Sequence, residues 1–586
     1  MVNRKRSLQT NLFDFRYGKD DGTSEEYTSP PEEYDIETTG PSTTEPSLPE
    51  VTQGKNKAPV QAPISEVTTS SADPGKQAEI VKAFKYAWAA YERDAMGSDE
   101  YHPMSRKGSN LTWQGGVGFM VVDAIDTMQI MGLKEEYASA RNWIANDLTF
   151  ERDGTFNTFE TTIRVLGGLL SAYHLSDKDP VFLEKAVDLA DRLLVAFDTT
   201  SGLPTSDVNL RARIALKHVA PVSTAEASTL QLEFRYLSYI THEDRYWKKA
   251  EQAMKVIKTA TTAESEVLVP IYMNADSGEF QKSEIRLGSR GDSYYEYLLK
   301  QYLQTKKAYS FPGQKKSEKV YLEMYEETMK AIRDRLIRTG FVKGLKYTIE
   351  LYPEYRPQGK TTYRASPKQD HLVCFLGGSL MLGATTTGAY GLVSVPPQDG
   401  ELTATGESDW KLGLDLVDTC VDTYESSATG LSPEIAYFWD KEKDAQDQDR
   451  DWYIKGNGRN GAASYDARYI LRPETVESLF IAHRLTGNPK YRASGWKIFQ
   501  AIEKYCRLES GGYASILNVD DVMTIHIDKM DTFFMAETLK YLYLLFSDSK
   551  DISLDEYVLN TEVAFSSSAT AHPLPIFSPT IKTGFS

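Results

Sequence analysis

Apolar residues recur at helical spacing along most of this chain. Val81, Phe84, Ala87, Trp88 and Tyr91 form one stripe, and the stretch from Gly116 to Leu133 reads as a Gly-bearing helix carrying Asp123 and Asp126 among apolar residues. Four segments then share one design: an apolar helix end, a short polar turn and an aromatic residue opening the next helix. They are Met131–Tyr137, Leu175–Phe182, Ile240–Tyr246 and Leu485–Tyr491. The helices that follow, Tyr137–Leu148, Phe182–Phe197, Tyr246–Thr259 and Tyr491–Tyr505, have similar lengths. Helical hairpins that repeat without a strict period predict a closed α/α toroid rather than an open solenoid. Val267–Tyr272, turning at Asp276-Ser277-Gly278 towards Phe280, reads as a β-hairpin decoration. Tyr355–Gln369 and Lys441–Asp466 break the helical period and are expected to be surface loops.

Residues 1–75 have another character. Thr, Ser, Pro and Glu dominate from Thr23 to Asp73, with too few apolar side chains to offset ordering entropy, so a disordered linker is expected there. One helical domain is expected over 76–577, with 578–586 as a short tail.

Composition narrows the function. Across 586 residues, 41% hydrophobic and 25% charged content are those of a soluble globular protein with ample core. A net charge of −17 argues against nucleic acid or an anionic membrane as partner, since both would be repelled. Three cysteines and no C-x-x-C pair argue against a disulfide mini-domain or a zinc site. No run approaches the roughly 18 apolar residues of a membrane span. Met1–Lys19 is basic and polar, without the apolar core of a secretory signal.

No phosphate loop, H-E-x-x-H or G-x-S-x-G motif is present. The chain offers instead carboxylates set among apolar and aromatic residues. Arg472-Pro-Glu-Thr-Val-Glu-Ser478 predicts a helix with Pro473 in its first turn and Glu474 and Glu477 on one face. Pro433 gives a similar helix-start signal before Glu434. Glu160 stands one turn before Arg164, Asp292 opens an aromatic stretch, Glu537 follows Phe533-Phe-Met-Ala, and Glu562 closes Asn560-Thr561-Glu562. Each has a plainer reading: a structural ion pair for Glu160 and Arg164, a helix cap for Asp292, an acidic first turn for Glu474 and Glu477. In a toroid, one end of every hairpin faces the axis, so together these acids could converge. Carboxylates with divergent pKa values suit glycoside hydrolysis, and carboxylates with a Thr hydroxyl are hard oxygen ligands suited to Ca²⁺.

The segments Phe159–His174, Asp292–Lys300, Asp370–Phe375, Gly430–Glu434, Arg472–Phe480 and Glu537–Tyr541 resemble those of the class I α-1,2-mannosidases, glycoside hydrolase family 47, in the same order from about Ala87 to Phe577. The resemblance implies an all-α (α/α)7 barrel with small β-hairpin decorations. It implies an inverting, Ca²⁺-dependent hydrolase that trims α-1,2-linked mannose from high-mannose N-glycans. Matched position by position, Glu160 corresponds to the acid acting through a water, Glu474 to the base, and Asp292 and Glu434 to the other catalytic carboxylates. Thr561 corresponds to the calcium ligand. Glu477, Glu537 and Glu562 correspond to acids that hold its waters, Phe533 to an aromatic under the sugar, and Glu226 and Arg164 to further pocket residues.

Arg290 corresponds to an Arg characteristic of the endoplasmic-reticulum subgroup, which implies removal of mainly one mannose from the nine-mannose glycan. Cys374 and Cys420 correspond to the family's disulfide, leaving Cys506 free and buried. That bridge, and glycosylation at the sequon Asn110-Leu111-Thr112, both imply an oxidising lumen, that of the endoplasmic reticulum or Golgi. Most members also carry an N-terminal anchor or signal, which this chain does not show. Val563–Thr570 separates Asn-Thr-Glu from Ala571-His572-Pro573, which adjoin in close relatives. A monomer is expected. The alternative reading is a same-fold glycan-binding factor for misfolded glycoproteins with little hydrolysis; the intact acids argue against it.

Overall fold

Asp73 accepts from the Lys76 backbone at 3.1 Å and Pro74 fills the first helical position, so helix α1 (Pro74–Ala95) starts where the Ser/Thr-rich composition ends. The computed structural model describes residues 71–216, 221–264, 267–305, 319–355, 361–456, 463–561 and 571–579. The expected linker therefore lies outside the described residues, apart from its last few positions.

Thirteen more long helices follow among the described residues: α2 (Phe119–Ile130), α3 (Lys134–Asn146), α4 (Gly167–Leu175), α5 (Pro180–Leu193), α6 (Gln231–Thr241), α7 (Asp244–Glu264), α8 (Asp292–Gln304), α9 (Lys319–Arg335), α10 (Phe375–Thr386), α11 (Ala404–Glu425), α12 (Glu474–Thr486), α13 (Pro489–Tyr505) and α14 (Leu539–Leu545). Consecutive helices from α2 to α13 pack as six antiparallel pairs, and α14 packs on α1 as the seventh. The even-numbered helices also touch one another in sequence, and the π-helical turn before α14 closes the ring on α2. This is the (α/α)7 barrel that the family resemblance implies, closed as the hairpin pattern predicts.

Burial separates the two rings. Every described side chain of α2 from Phe119 to Met128, of α10 from Phe375 to Ala384 and of α12 from Glu474 to His483 is buried, as an inner helix requires. The outer helices bury one stripe, as in α13, where Tyr491, Gly495, Ile498, Phe499 and Ile502 face inward. Gly168 permits a close inner contact: a Cβ there would stand 2.5 Å from the Val122 carbonyl oxygen on α2.

The strands of the described residues form small antiparallel sheets of two or three strands. Val222–Ser223 pairs with Tyr272–Met273, and the turn Asn274–Glu279 folds Phe280 back onto Met273, as the expected hairpin does. Tyr355–Gln369, expected as a loop, is instead mostly a sheet: Glu350–Tyr355 pairs with Thr361–Ser366, and Lys368–Asp370 pairs with Ile435–Phe438. Alternating Tyr, Thr and Ala positions suit a pleated ribbon, a period-2 signal hidden by its polarity. Lys441–Asp466 keeps its loop character in the described parts, apart from the turn Glu442–Ala445 and the strand Trp452–Tyr453.

Two proline signals are also corrected. Pro473 is the N-cap of α12, its carbonyl accepting from Glu477 N at 2.8 Å, rather than a first-turn residue. Pro433 precedes a strand, because the Glu434 carbonyl accepts from His371 N across a sheet.

The C-terminal hairpin, Tyr557–Leu559 against Pro573–Pro575, lies against the inner helices α4, α6 and α8. Asn560 N donates to the His572 carbonyl at 3.1 Å, so the two flanks of the 563–570 insertion meet and Thr561 keeps its place beside the hairpin. The 563–570 insertion and Glu562 lie outside the described residues. Cys374 and Cys420 form a disulfide, and Cys506 is buried and free.

Candidate active site

The strand Thr155–Asn157 delivers Glu160. Asn157 Oδ1 accepts from Glu160 N at 2.9 Å, capping the short turn Thr158–Glu160 that runs into a π-helix, Thr161–Leu166. A second π-helix, Phe534–Thr538, carries Glu537. Such wide turns recur at functional sites because they re-aim side chains that a regular helix would place elsewhere.

Arg164, fully buried, donates to Glu160 Oε2 from Nε at 2.9 Å and from Nη2 at 2.8 Å. Its Nη1 reaches Thr532 Oγ1 at 2.5 Å and Asp123 Oδ2 at 3.3 Å. Glu160 Oε1 is buried without a hydrogen-bond partner among the described residues. Glu160 lines a cavity of about 230 Å³ together with Asn157, Asp207, Asp531 and Thr532.

Beside this cavity, Glu226 accepts from Ser206 Oγ at 2.8 Å and from Asn157 Nδ2 at 3.4 Å, and forms a capping box with Ser223. Burial and the Glu226 charge push Asp207 up to about 6. The Arg290 carbonyl accepts from Ala225 N at 3.0 Å, which places Arg290 next to the turn of Glu226. Arg290 has φ +73° and its guanidinium lies over Tyr272 at 5.2 Å. A left-handed backbone at a non-glycine residue is a strain that clusters at ligand clamps.

Arg472 organises the next two acids. It donates to Glu434 from Nε at 2.8 and 3.0 Å and from Nη2 at 2.5 Å, and reaches Glu474 Oε1 from Nη1 at 3.4 Å. Glu474 Oε2 pairs with His371 Nδ1 at 2.6 Å, while His371 Nε2 faces Tyr424 OH at 2.8 Å. Burial would raise Glu474, but the Arg472 charge and the His371 contact outweigh it and hold this carboxyl below the usual range.

Around Thr561 the balance reverses. Asp292 is the first residue of α8; Gly291 takes the cap position, so the plainer reading of Asp292 as a helix cap does not hold. Burial, with the charges of Glu296 and Asp370, raises Asp292 well above the usual range. Burial with Glu477 and Glu474 does the same to Glu537. Burial, reinforced by Glu296 and Glu474, pushes Glu477 up to about 8 even though Lys300 opposes it at 3.6 Å. Lys300 also pairs with Glu296, which accepts from the Thr561 hydroxyl. Glu296 Oε2 and Glu537 Oε1 are buried without hydrogen-bond partners among the described residues.

The predicted acids are thus brought together. Glu434 and Glu474 share Arg472, Asp292 feels Glu296, Glu296 feels Glu474, and Glu537 feels both Glu474 and Asp123, the partner of Arg164 beside Glu160. Phe533 is fully buried between Thr532 and the π-helix of Glu537. Glu562 lies outside the described residues. Residues with no site role assigned from the sequence do much of the organising: Arg472, His371, Asp123, Thr532, Glu296 and Lys300. Arg472, His371, Glu296 and Lys300 all lie inside the family motifs, and Glu296 precedes Lys300 by four residues. A buried pair at that spacing is the one local signal that could have flagged them.

Partnerless buried carboxylate oxygens beside a Thr hydroxyl suit a hard cation, which would relieve the mutual repulsion of Glu296, Glu477 and Glu537. Among the described residues no group of three or more His, Cys, Asp or Glu forms a direct metal cage.

The family model for glycosyl hydrolase family 47 matches residues 83–576. A mannosyl-oligosaccharide 1,2-alpha-mannosidase of Arabidopsis thaliana is 44% identical over 540 residues, covering 87% of this chain and 81% of that protein. The endoplasmic reticulum mannosyl-oligosaccharide 1,2-alpha-mannosidase of Schizosaccharomyces pombe is 41% identical, covering 85% of this chain and 89% of its own. Among solved structures, the alpha-1,2-mannosidase from Trichoderma reesei superposes with a TM-score of 0.71 at 26% identity, over 86% of this chain and 100% of that one.

Proposed function

We propose, from the premise that this chain belongs to glycosyl hydrolase family 47, that it is a mannosyl-oligosaccharide 1,2-α-mannosidase removing α-1,2-linked mannose from high-mannose N-glycans. Arg290 supports the narrower reading, loss of mainly one mannose from the nine-mannose glycan, because a guanidinium can hydrogen-bond several sugar hydroxyls of one branch at once. The observation that carries the chemistry is Glu474: buried, yet held ionised by Arg472 and His371. An ionised carboxylate in a protected site is what a general base needs.

In this reading Glu474 takes a proton from the attacking water as its oxygen bonds to the anomeric carbon. The bond from that carbon to the leaving oxygen breaks, and the leaving oxygen receives a proton relayed from Glu160 through a water. Direct attack from the opposite face inverts the configuration. Arg164 orients Glu160 by gripping Oε2 and leaving Oε1 to the cavity side. Glu434 keeps Arg472 in place, and Asp292, buried and raised, stands as a protonated donor near the sugar. Phe533 would lie beneath the ring, with Glu226 and Arg290 bordering the branch.

Calcium would be held by Thr561, with Glu477, Glu537 and Glu562 holding its waters. When bound it supplies charge neutralisation and orients sugar hydroxyls. The protein acts as a monomer in the lumen of the endoplasmic reticulum or Golgi; the Cys374–Cys420 disulfide supports an oxidising compartment. Nine-mannose glycan incubated with and without a calcium chelator tests the reading. Chelator-sensitive mannose release supports it. Binding without release would favour the glycan-binding alternative, and neither would end the proposal.

A further inference from the structure

Behind Glu160 runs a line of buried charge that the reaction as described does not use. His572 Nδ1 lies 2.8 Å from Asp126 Oδ2 and its Nε2 lies 3.3 Å from Asp123 Oδ1, and all three side chains are fully buried. Asp123 and Asp126 are one turn apart on α2, so one imidazole bridges two acids of one helix. Asp123 continues to Arg164 at 3.3 Å and so to Glu160. Asp126 continues to Lys540 at 2.8 Å on α14 and to Ser171 Oγ at 2.8 Å on α4. Lys540 in turn donates to the Ala571 carbonyl at 2.7 Å, beside His572 itself.

The other end of His572 serves Thr561. His572 N donates to Asn560 Oδ1 at 2.7 Å, and Asn560 Nδ2 donates to Glu233 Oε1 at 2.7 Å on α6 and to the Ile163 carbonyl at 3.1 Å. Gly167 makes this crossing possible: a Cβ there would come within 2.8 Å of Asn560 Nδ2 and 3.0 Å of His572 Cδ2. Burial alone would lower His572, but Asp126 and Asp123 outweigh it and raise the ring, with Nδ1 hydrogen-bonded to Asp126 and Nε2 at ion-pair distance from Asp123.

We infer that His572 is a positioning residue: through Asp123 it steadies the Arg164–Glu160 pair, and through Asp126 it anchors the turn of Thr561 to the same helix. The two ring nitrogens therefore serve two parts of the site. This rests on the mannosidase reading for Glu160 and on the cation reading for Thr561.

An asparagine amide can replace the Nδ1 donor and a glutamine amide the Nε2 donor. His572→Asn should keep the Asp126 contact and lose the Asp123 one, lowering kcat about tenfold or more with little change in KM or calcium affinity. His572→Gln should do the reverse, weakening calcium binding about tenfold while kcat at saturating calcium stays close to wild type. Titration calorimetry of the full chain reads calcium affinity without any substrate, and nine-mannose glycan reads kcat and KM. Equal losses in both variants on both measures mark a merely structural side chain and overturn the inference, as do two variants indistinguishable from wild type. If either variant fails to fold, Asp123→Asn and Asp126→Asn carry the same two arms. A wild type that binds calcium but releases no mannose defeats the mannosidase reading while the calcium arm still decides this one; a wild type that does neither defeats both.

Discussion

Glu474 Oε2 and His371 Nδ1 lie 2.6 Å apart although 103 residues separate them in the chain. With Arg472 reaching the other carboxylate oxygen at 3.4 Å, Glu474 stays ionised in a site that raises Asp292, Glu477 and Glu537. One buried carboxyl held low among neighbours pushed up is how a single pocket separates a base from its acids.

Glu474→Gln removes the base and Glu160→Gln the acid without changing shape. Each should lower kcat by about 10² to 10⁴, the usual worth of one acid–base group. Circular dichroism should be unchanged. Mannose release at the wild-type rate by either variant would refute its assigned role.

Arg472→Gln removes the nearest positive charge from Glu474, leaving burial to act with less opposition. The Glu474 carboxyl should rise, moving the acidic limb of kcat to higher pH. The sign for stability follows. A lowered carboxylate contributes stability above its unfolded value and loses it as pH falls through the folded value, so wild type and variant should converge in stability at low pH. A pH–rate profile with an unmoved acidic limb would separate Arg472 from the tuning of Glu474.

Arg290→Leu removes a guanidinium that lies over Tyr272, on the residue whose carbonyl holds the turn of Glu226. Trimming should extend beyond a single mannose, visible as smaller glycans by mass spectrometry. An unchanged product profile would mean that Arg290 does not choose the branch.

Cys374→Ser with Cys420→Ser opens a loop closed over 46 residues, from the start of α10 into α11. In the chain-entropy model the loss is about 4 kcal/mol. Denaturant unfolding should show it, and a variant as stable as wild type would show that helix packing alone holds this pair.

Removing calcium should lower Tm, because the carboxylates around Thr561 lose the charge that offsets their repulsion. Restoring calcium to 100 times its Kd should return about 2.7 kcal/mol. A Tm indifferent to chelator would contradict the cation reading at Thr561.

The paired helices were legible in the sequence because apolar spacing and polar turns are local, and Tyr137, Phe182, Tyr246 and Tyr491 each lie within the first turn of an outer helix. The acids were legible too, through short motifs around each one. The ribbon Glu350–Ser366 was not, since its polar, Thr-rich strands lack an apolar face. Nor were the π-helices at Thr161–Leu166 and Phe534–Thr538, whose extra width depends on what packs against them.

By itself the sequence determined the paired-helix design and the short motifs that carry the acids, because both follow from residues close together in the chain. Only the tertiary structure decided which acid is charged. His371 reaches Glu474 across 103 residues and His572 reaches Asp126 across 446. A carboxyl's protonation is set by burial and by charges a few ångströms away, and those neighbours exist only once the ring of helices has closed.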